Sequence, residues 1–196
     1  PWASYERKSM NRKFSERIGA VEASPNIQTD EMNDDLRNSI WNFIHYQYNH
    51  VRDDCWIPLA KWIAEFFRKV PVDELPYQDY DCRKWVKAYF YSLQWYEVYD
   101  LMEFLVANNQ SIRHHPVITG ERLIDSYNRI LERELSGYRF VTGILAPISS
   151  PAETTEISSA IEATARHGLA GAHHHLETAL VLIGKKPEPD YRNSIK

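Results

Sequence analysis

Three consecutive histidines, His173, His174 and His175, are the first residues in this chain whose type suggests chemistry. Imidazoles hold zinc when two project from one helix face at i and i+4, or when they arrive from separate elements. Neighbours on a helix diverge by about 100°, so the run cannot close on one ion by itself. A site would need His114 and His115 to meet His173 in space. Histidines on a polar helix face explain the run with fewer assumptions, and no metal or other cofactor is expected. Arg166 stands a short way before His173, with Gly168 and Gly171 between them. An Arg/His pair can cleave RNA without metal. The imidazole, of His173 or His174, moves the 2′-hydroxyl proton, and the guanidinium stabilises the phosphorane charge. Such spacing arises often by chance, and an arginine near a helix C-terminus has an ordinary role opposite the dipole. These residues define one alternative function, a small metal-independent ribonuclease. No catalytic residue is assigned on them, and the chain by itself is read as non-catalytic.

The paired carboxylates Asp34–Asp35, Asp53–Asp54 and Asp79/Asp81 invite a metal reading too, but each falls where a helix should start, and capping accounts for them. No phosphate-binding loop, dinucleotide glycine pattern, serine-hydrolase elbow or kinase motif is present. With 23 basic against 27 acidic residues the net charge is −4, so a general polyanion binder is not expected. Cys55 and Cys82 lack Cys-x-x-Cys spacing and are expected as buried, reduced thiols, which suits a cytoplasmic protein. No apolar run approaches the ~20 residues of a membrane span. Residues 1–9 precede Met10 and are expected to be a leader outside the fold.

The elements that must position these groups follow from apolar spacing. Residues 11–32 are polar and form an arm or loop. Asn33 caps a helix carrying Leu36, Ile40, Phe43, Ile44, Tyr48 and Val51. Asp53 and Asp54 introduce a second, with Leu59, Trp62, Ile63, Phe66, Phe67 and Val70 facing the core, ended by Pro71 and Pro76. The next stretch runs from Asp79 or Asp81 to about Asn108, with a break expected near Gln94–Tyr96. A connector, 111–119, leads to a helix over Glu121–Ser136, with Gly137 as its left-handed cap. Tyr138–Ile148 is rich in β formers around Thr142-Gly143 and predicts a short hairpin. Ser150, Pro151 and Glu153 open another helix that stops at Gly168. Further helices are expected over Leu169–Ile183 and Tyr191–Lys196. The fold class is mainly α: a domain of five to six helices with one short β-hairpin near residues 138–148. Six Trp, twelve Tyr and seven Phe imply wide aromatic faces in its core, and an exposed share could dimerise.

Several segments together resemble one family. They are Phe14-Ser-Glu-Arg-Ile-Gly19, Met32-Asn-Asp-Asp-Leu-Arg-Asn-Ser-Ile-Trp41, Trp95-Tyr-Glu-Val-Tyr-Asp-Leu-Met-Glu-Phe104 and, most specifically, Gly137-Tyr-Arg-Phe-Val-Thr-Gly-Ile-Leu-Ala-Pro-Ile148. His175-Leu-Glu-Thr-Ala-Leu180 and Pro189-Asp-Tyr-Arg-Asn-Ser-Ile-Lys196 resemble the join to a following domain. The family is the N-terminal domain of AbiJ-type abortive-infection proteins. The resemblance implies a sensing or regulatory module at residues 10–168, controlling a HEPN-like ribonuclease domain whose first part would be residues 169–196. The Arg/His motif of that ribonuclease would lie beyond position 196. RNA would then be met only through the downstream domain, with a phage-derived trigger and a homodimer as further partners. Where the family pattern has an acidic residue in the hairpin turn, this chain has Thr142.

Overall fold

A computed structural model describes residues 14–18, 27–49, 55–112 and 118–147, with 159 and 163 as single positions. Within them the chain is mainly helical, with one two-stranded antiparallel sheet, as the apolar periodicity predicts. The elements are α1 (Phe14–Arg17), α2 (Asp34–Tyr48), α3 (Trp56–Trp62), α4 (Asp79–Ser92), α5 (Trp95–Ile112), α6 (Gly120–Arg133), β1 (Arg139–Val141) and β2 (Ile144–Ala146). Short π-helical and 3-10 segments, Ile63–Arg68 and Val72–Glu74, lie between α3 and α4.

Helix α2 starts as its sequence dictates. Asn33 is extended and its Oδ1 accepts from Leu36 N at 2.9 Å, while Asp34 and Asp35 occupy the first turn, where the dipole favours acids. Leu36, Ile40, Ile44 and Tyr48, four residues apart, are buried. The helix spans Asp34–Tyr48, and Val51 lies outside the described residues.

Helix α3 starts differently. Cys55 at its N-cap makes no side-chain cap bond. The Trp56 and Ile57 amides instead donate to Asp79 Oδ1, at 2.7 and 3.1 Å. Asp79, expected to cap its own helix, sits instead in the first turn of α4, whose N-cap Gln78 makes no side-chain cap bond, and its carboxylate caps the neighbouring helix α3. Past Trp62 the helix widens into π geometry and closes on Lys69 at φ 54°, with Val70 N bonded to Ala64 O at 2.8 Å. The wider turn shifts the phase of the apolar stripe. Phe66, expected in the core, is 49% exposed and lies against Trp62 instead, with ring centroids 4.6 Å apart.

The stretch from Asp79 is two helices. Leu93 is extended at ψ 145° and separates α4 from α5. The loss of helical bonding there is offset from two sides. Gln94 N donates to Glu97 Oε2 at 2.6 Å, and Arg37 of α2 donates through Nη1 to Leu93 O at 2.9 Å. Helix α5 continues through Asn108–Gln110, where the sequence suggested an end. Asn108 bonds back to Phe104 O, and buried Asn109 donates to Ile118 O at 2.9 Å.

Leu135, at φ 57°, takes the left-handed position after α6 that Gly137 was expected to fill. Gly137 serves a close approach instead. A Cβ there would sit 2.7 Å from Thr29 Cγ2 and 3.2 Å from Gln28 O. The polar arm is fastened at this point. Gln28 N donates to Leu135 O at 2.9 Å and Gly137 N to Gln28 O at 2.8 Å. The Gln28 side chain donates to Glu134 O at 2.6 Å and accepts from Asn33 N at 2.7 Å.

The hairpin pairs Arg139 with Ala146, Phe140 with Leu145 and Val141 with Ile144. Its turn places Thr142 at φ 50° and Gly143 at φ 95°, the pair of positive φ angles that matches strand twist in two-residue hairpins. Asn128 of α6 makes two bonds to the Phe140 backbone, at 2.7 and 3.0 Å, and Glu103 of α5 accepts from Leu145 N. One core joins α2 to α6 and β1, with Phe90, Leu101, Met102, Tyr127, Leu131 and Phe140 among its innermost side chains. Cys55 and Cys82 are buried and form no disulfide, and burial pushes the Cys82 thiol up.

Candidate functional site

Arg166, His173, His174, His114 and His115 all lie outside the described residues, as does the remainder of the histidine run. Among the described residues, no group of three or more His, Cys, Asp or Glu side chains could hold a metal ion. No described helix is long and apolar enough to cross a membrane. His45 packs against the rings of Trp41 and Trp56, where burial, with Arg83 and Lys87, holds its pKa below the ordinary value.

A concave surface among the described residues lies between α5 and the hairpin. Trp95, Tyr96, Tyr99, Asp100, Glu103, Tyr138 and Leu145 line an open cleft of about 430 Å³. Helical geometry gathers the first five: positions four apart share a face, which aligns Trp95, Tyr99 and Glu103, with Tyr96 and Asp100 beside them. The opposite face carries Val98, Leu101, Met102 and Leu105, all buried, and that burial fixes which way the cleft residues point. Tyr138, just before β1, and Leu145, in β2, complete the wall.

The rings form a tilted set. Tyr99 and Tyr138 have centroids 5.0 Å apart, Trp95 and Tyr138 6.3 Å, and Trp95 packs edge-on against Tyr96 at 5.6 Å. Hydrogen bonds fix two of them: Tyr99 Oη and Ser136 Oγ are 2.8 Å apart, and Tyr138 Oη donates to Thr29 O at 2.7 Å. Burial pushes the Tyr99 phenol up to about 12, so it is protonated at neutral pH. The carboxylates are raised as well. Glu103 is raised mainly by burial, against the Leu145 N–H that favours its charged form, with Asp100 adding repulsion. Asp100, at the rim, is raised by desolvation and by Glu97. Next to Tyr138, buried Arg139 donates through Nη1 to the Ser136 and Tyr138 carbonyls, both at 2.7 Å, and its Nε makes no hydrogen bond. Rigid rings beside partly desolvated carboxylates suit binding. Among the described lining residues no nucleophile is paired with a base.

The sequence marks the Trp95–Phe104 segment without showing that one side of it lines a cleft. A helical projection separates Trp95, Tyr96, Tyr99, Asp100 and Glu103 from the apolar stripe, so that half was readable. The Tyr138 and Leu145 wall comes from a pairing across more than forty positions, Glu103 to Leu145.

Residues 12–163 match the family model described as AbiJ N-terminal domain 4. The chain belongs to the AbiJ N-terminal domain family. The matched range contains every described element from α1 to β2, including the cleft, and links the chain to abortive infection. Of the segments that suggested the family, those from Phe14 to Ile148 lie inside the match, and those from His175 onward lie outside it. No match was found among curated proteins or among solved structures.

Proposed function

We propose that this chain is the sensing and regulatory module of a bacterial abortive-infection protein, and that it controls a HEPN-like ribonuclease joined after residue 168. The carrying observation is the family match over residues 12–163. The geometry is compatible in kind: the described residues form a helical body with an open cleft between α5 and the hairpin, and a receptor for a phage-derived cue needs a concave surface of this sort. In this reading RNA cleavage belongs to the downstream domain. Ligand occupancy would act by favouring one of two arrangements of module and effector, with a shift no larger than the ligand's differential affinity for them.

The test uses a phage-defence toxin that carries this domain. Deleting residues 10–168, or replacing them with the equivalent segment of another family member, should change phage-dependent toxicity while leaving the ribonuclease domain in place. Protection that is unaltered by either change would refute the regulatory role.

A further inference from the structure

The cleft beside α5 presents aromatic faces and two carboxylates, and among its described lining residues there is neither lysine nor arginine. Glu97, Asp100 and Glu103 recur every three residues along α5, so their charges stand on one side of it. Glu97 is occupied at the start of the helix, where it accepts from Gln94 N. Glu103 gives Oε1 to the Leu145 amide and keeps the acceptor capacity of its other oxygen. Asp100 is exposed at the rim. Carboxylates set against aromatic rings without a cation of their own repel an anion and are penalised by an apolar occupant.

We propose that the cleft is a binding site for a guanidinium group, as carried by a small free guanidine or by an arginine side chain. Guanidinium answers both features of the lining. Its plane stacks on aromatic faces, here those of Trp95, Tyr96 and Tyr138, and its fork of N–H donors matches carboxylate acceptors, here Asp100 and Glu103. A quaternary ammonium would use the rings and leave the carboxylates unbonded. A lysine ammonium is a strongly hydrated point charge without a plane to stack. The bonds from Tyr99 to Ser136 and from Tyr138 to Thr29 set the rings before the ligand arrives, which lowers the ordering cost of binding. The volume, about 430 Å³, lies within the range of small-ligand sites. This inference extends the regulatory reading by naming what the cleft takes, and it is measured on the chain alone.

The experiment is a titration followed by amide and indole N–H signals in NMR spectra, with the Trp95 indole identified through Trp95→Phe. The probes are agmatine, the peptide Gly-Gly-Arg-Gly-Gly, its lysine counterpart, tetramethylammonium and inorganic phosphate. Saturable shifts of the Trp95 indole with agmatine or the arginine peptide are expected at millimolar concentration. Tighter binding of the peptide identifies a side chain as the source, and tighter binding of agmatine a free guanidine. Asp100→Asn with Glu103→Gln should weaken binding about tenfold or more, equivalent to about 1.4 kcal/mol. Tyr96→Ala, at a half-exposed ring that the fold does not need, should weaken it several-fold, and Tyr77→Ala, on a ring that is 91% exposed outside the cleft, should not change it. Silence of the indole to both guanidines would overturn the proposal. So would equal binding of the lysine peptide or tetramethylammonium, or the same shifts with phosphate. Either failure leaves phage protection as a separate readout of the regulatory role.

Discussion

Thr142 holds a left-handed backbone that its own side chain disfavours. Its φ of 50° is one that asparagine and glycine adopt readily and β-branched residues resist. The hairpin imposes it, because strand twist demands positive φ at both turn positions. Thr142→Asn should therefore stabilise the protein by about 1 kcal/mol, seen as a higher urea midpoint. An unchanged midpoint would mean that the turn relaxes to accept threonine without cost. Glu103 makes a second residue-scale prediction. Folding raises the pKa of Glu103 and of Asp100, so the native state favours their protonated forms. Each contributes stability that is fully present below the unfolded-state pKa and is lost as pH rises through the raised native value. The window begins in the ordinary carboxylate range and extends above it. Glu103→Gln, which mimics the protonated form, should flatten the stability–pH slope there, and an unaltered slope would acquit this carboxyl. The sequence exposes Thr142-Gly143 as a turn. It carries no sign that Glu103 is desolvated, because that depends on a hairpin residue far along the chain.

At the scale of the elements, α3 shows how a local rule can find its partner at a distance. A helix start leaves amides that need acceptors, and an aspartate nearby in sequence is the usual source. Here Asp79 supplies it from the first turn of α4. Asp79→Ala should cost about 1–2 kcal/mol and should speed hydrogen exchange at the Trp56 and Ile57 amides specifically. Asp79→Asn, which retains the Oδ1 acceptor, should cost less. Equal losses would mean that charge at the α4 start, and not the cap on α3, is what matters. The other element boundaries divide by the same logic. The α2 start was legible because Asn33 caps its own helix. The break between α4 and α5 was legible only as a place. Arg37, from another helix, satisfies the freed carbonyls there, and no local pattern encodes that bond. The π turn after α3 was not legible, since a stripe counted at 3.6 residues per turn cannot reveal a change of phase within it.

In the whole molecule, the polar arm and the end of α6 are one construction. Gln28 is buried, and its backbone and side chain together make four bonds to Asn33, Glu134, Leu135 and Gly137. Gln28→Ala leaves Glu134 O and Asn33 N without these partners. It should lower stability by about 2–3 kcal/mol, with tryptophan emission and far-UV circular dichroism still changing together if the single core unfolds as a unit. A loss confined to a few tenths of that figure would show that water replaces the side chain easily. The AbiJ-type identity, the mainly helical class, the hairpin and most core positions are determined by the sequence itself, because apolar period, caps and turn residues act over a few positions at a time. The tertiary structure alone decided which carboxylate caps α3, why Gly137 must lack a side chain, how Gln28 fastens the arm, and that the rings of α5 face a wall made by the hairpin. Those features rest on contacts between residues that are distant in the chain, and the free energy that selects them is shared by the packed core.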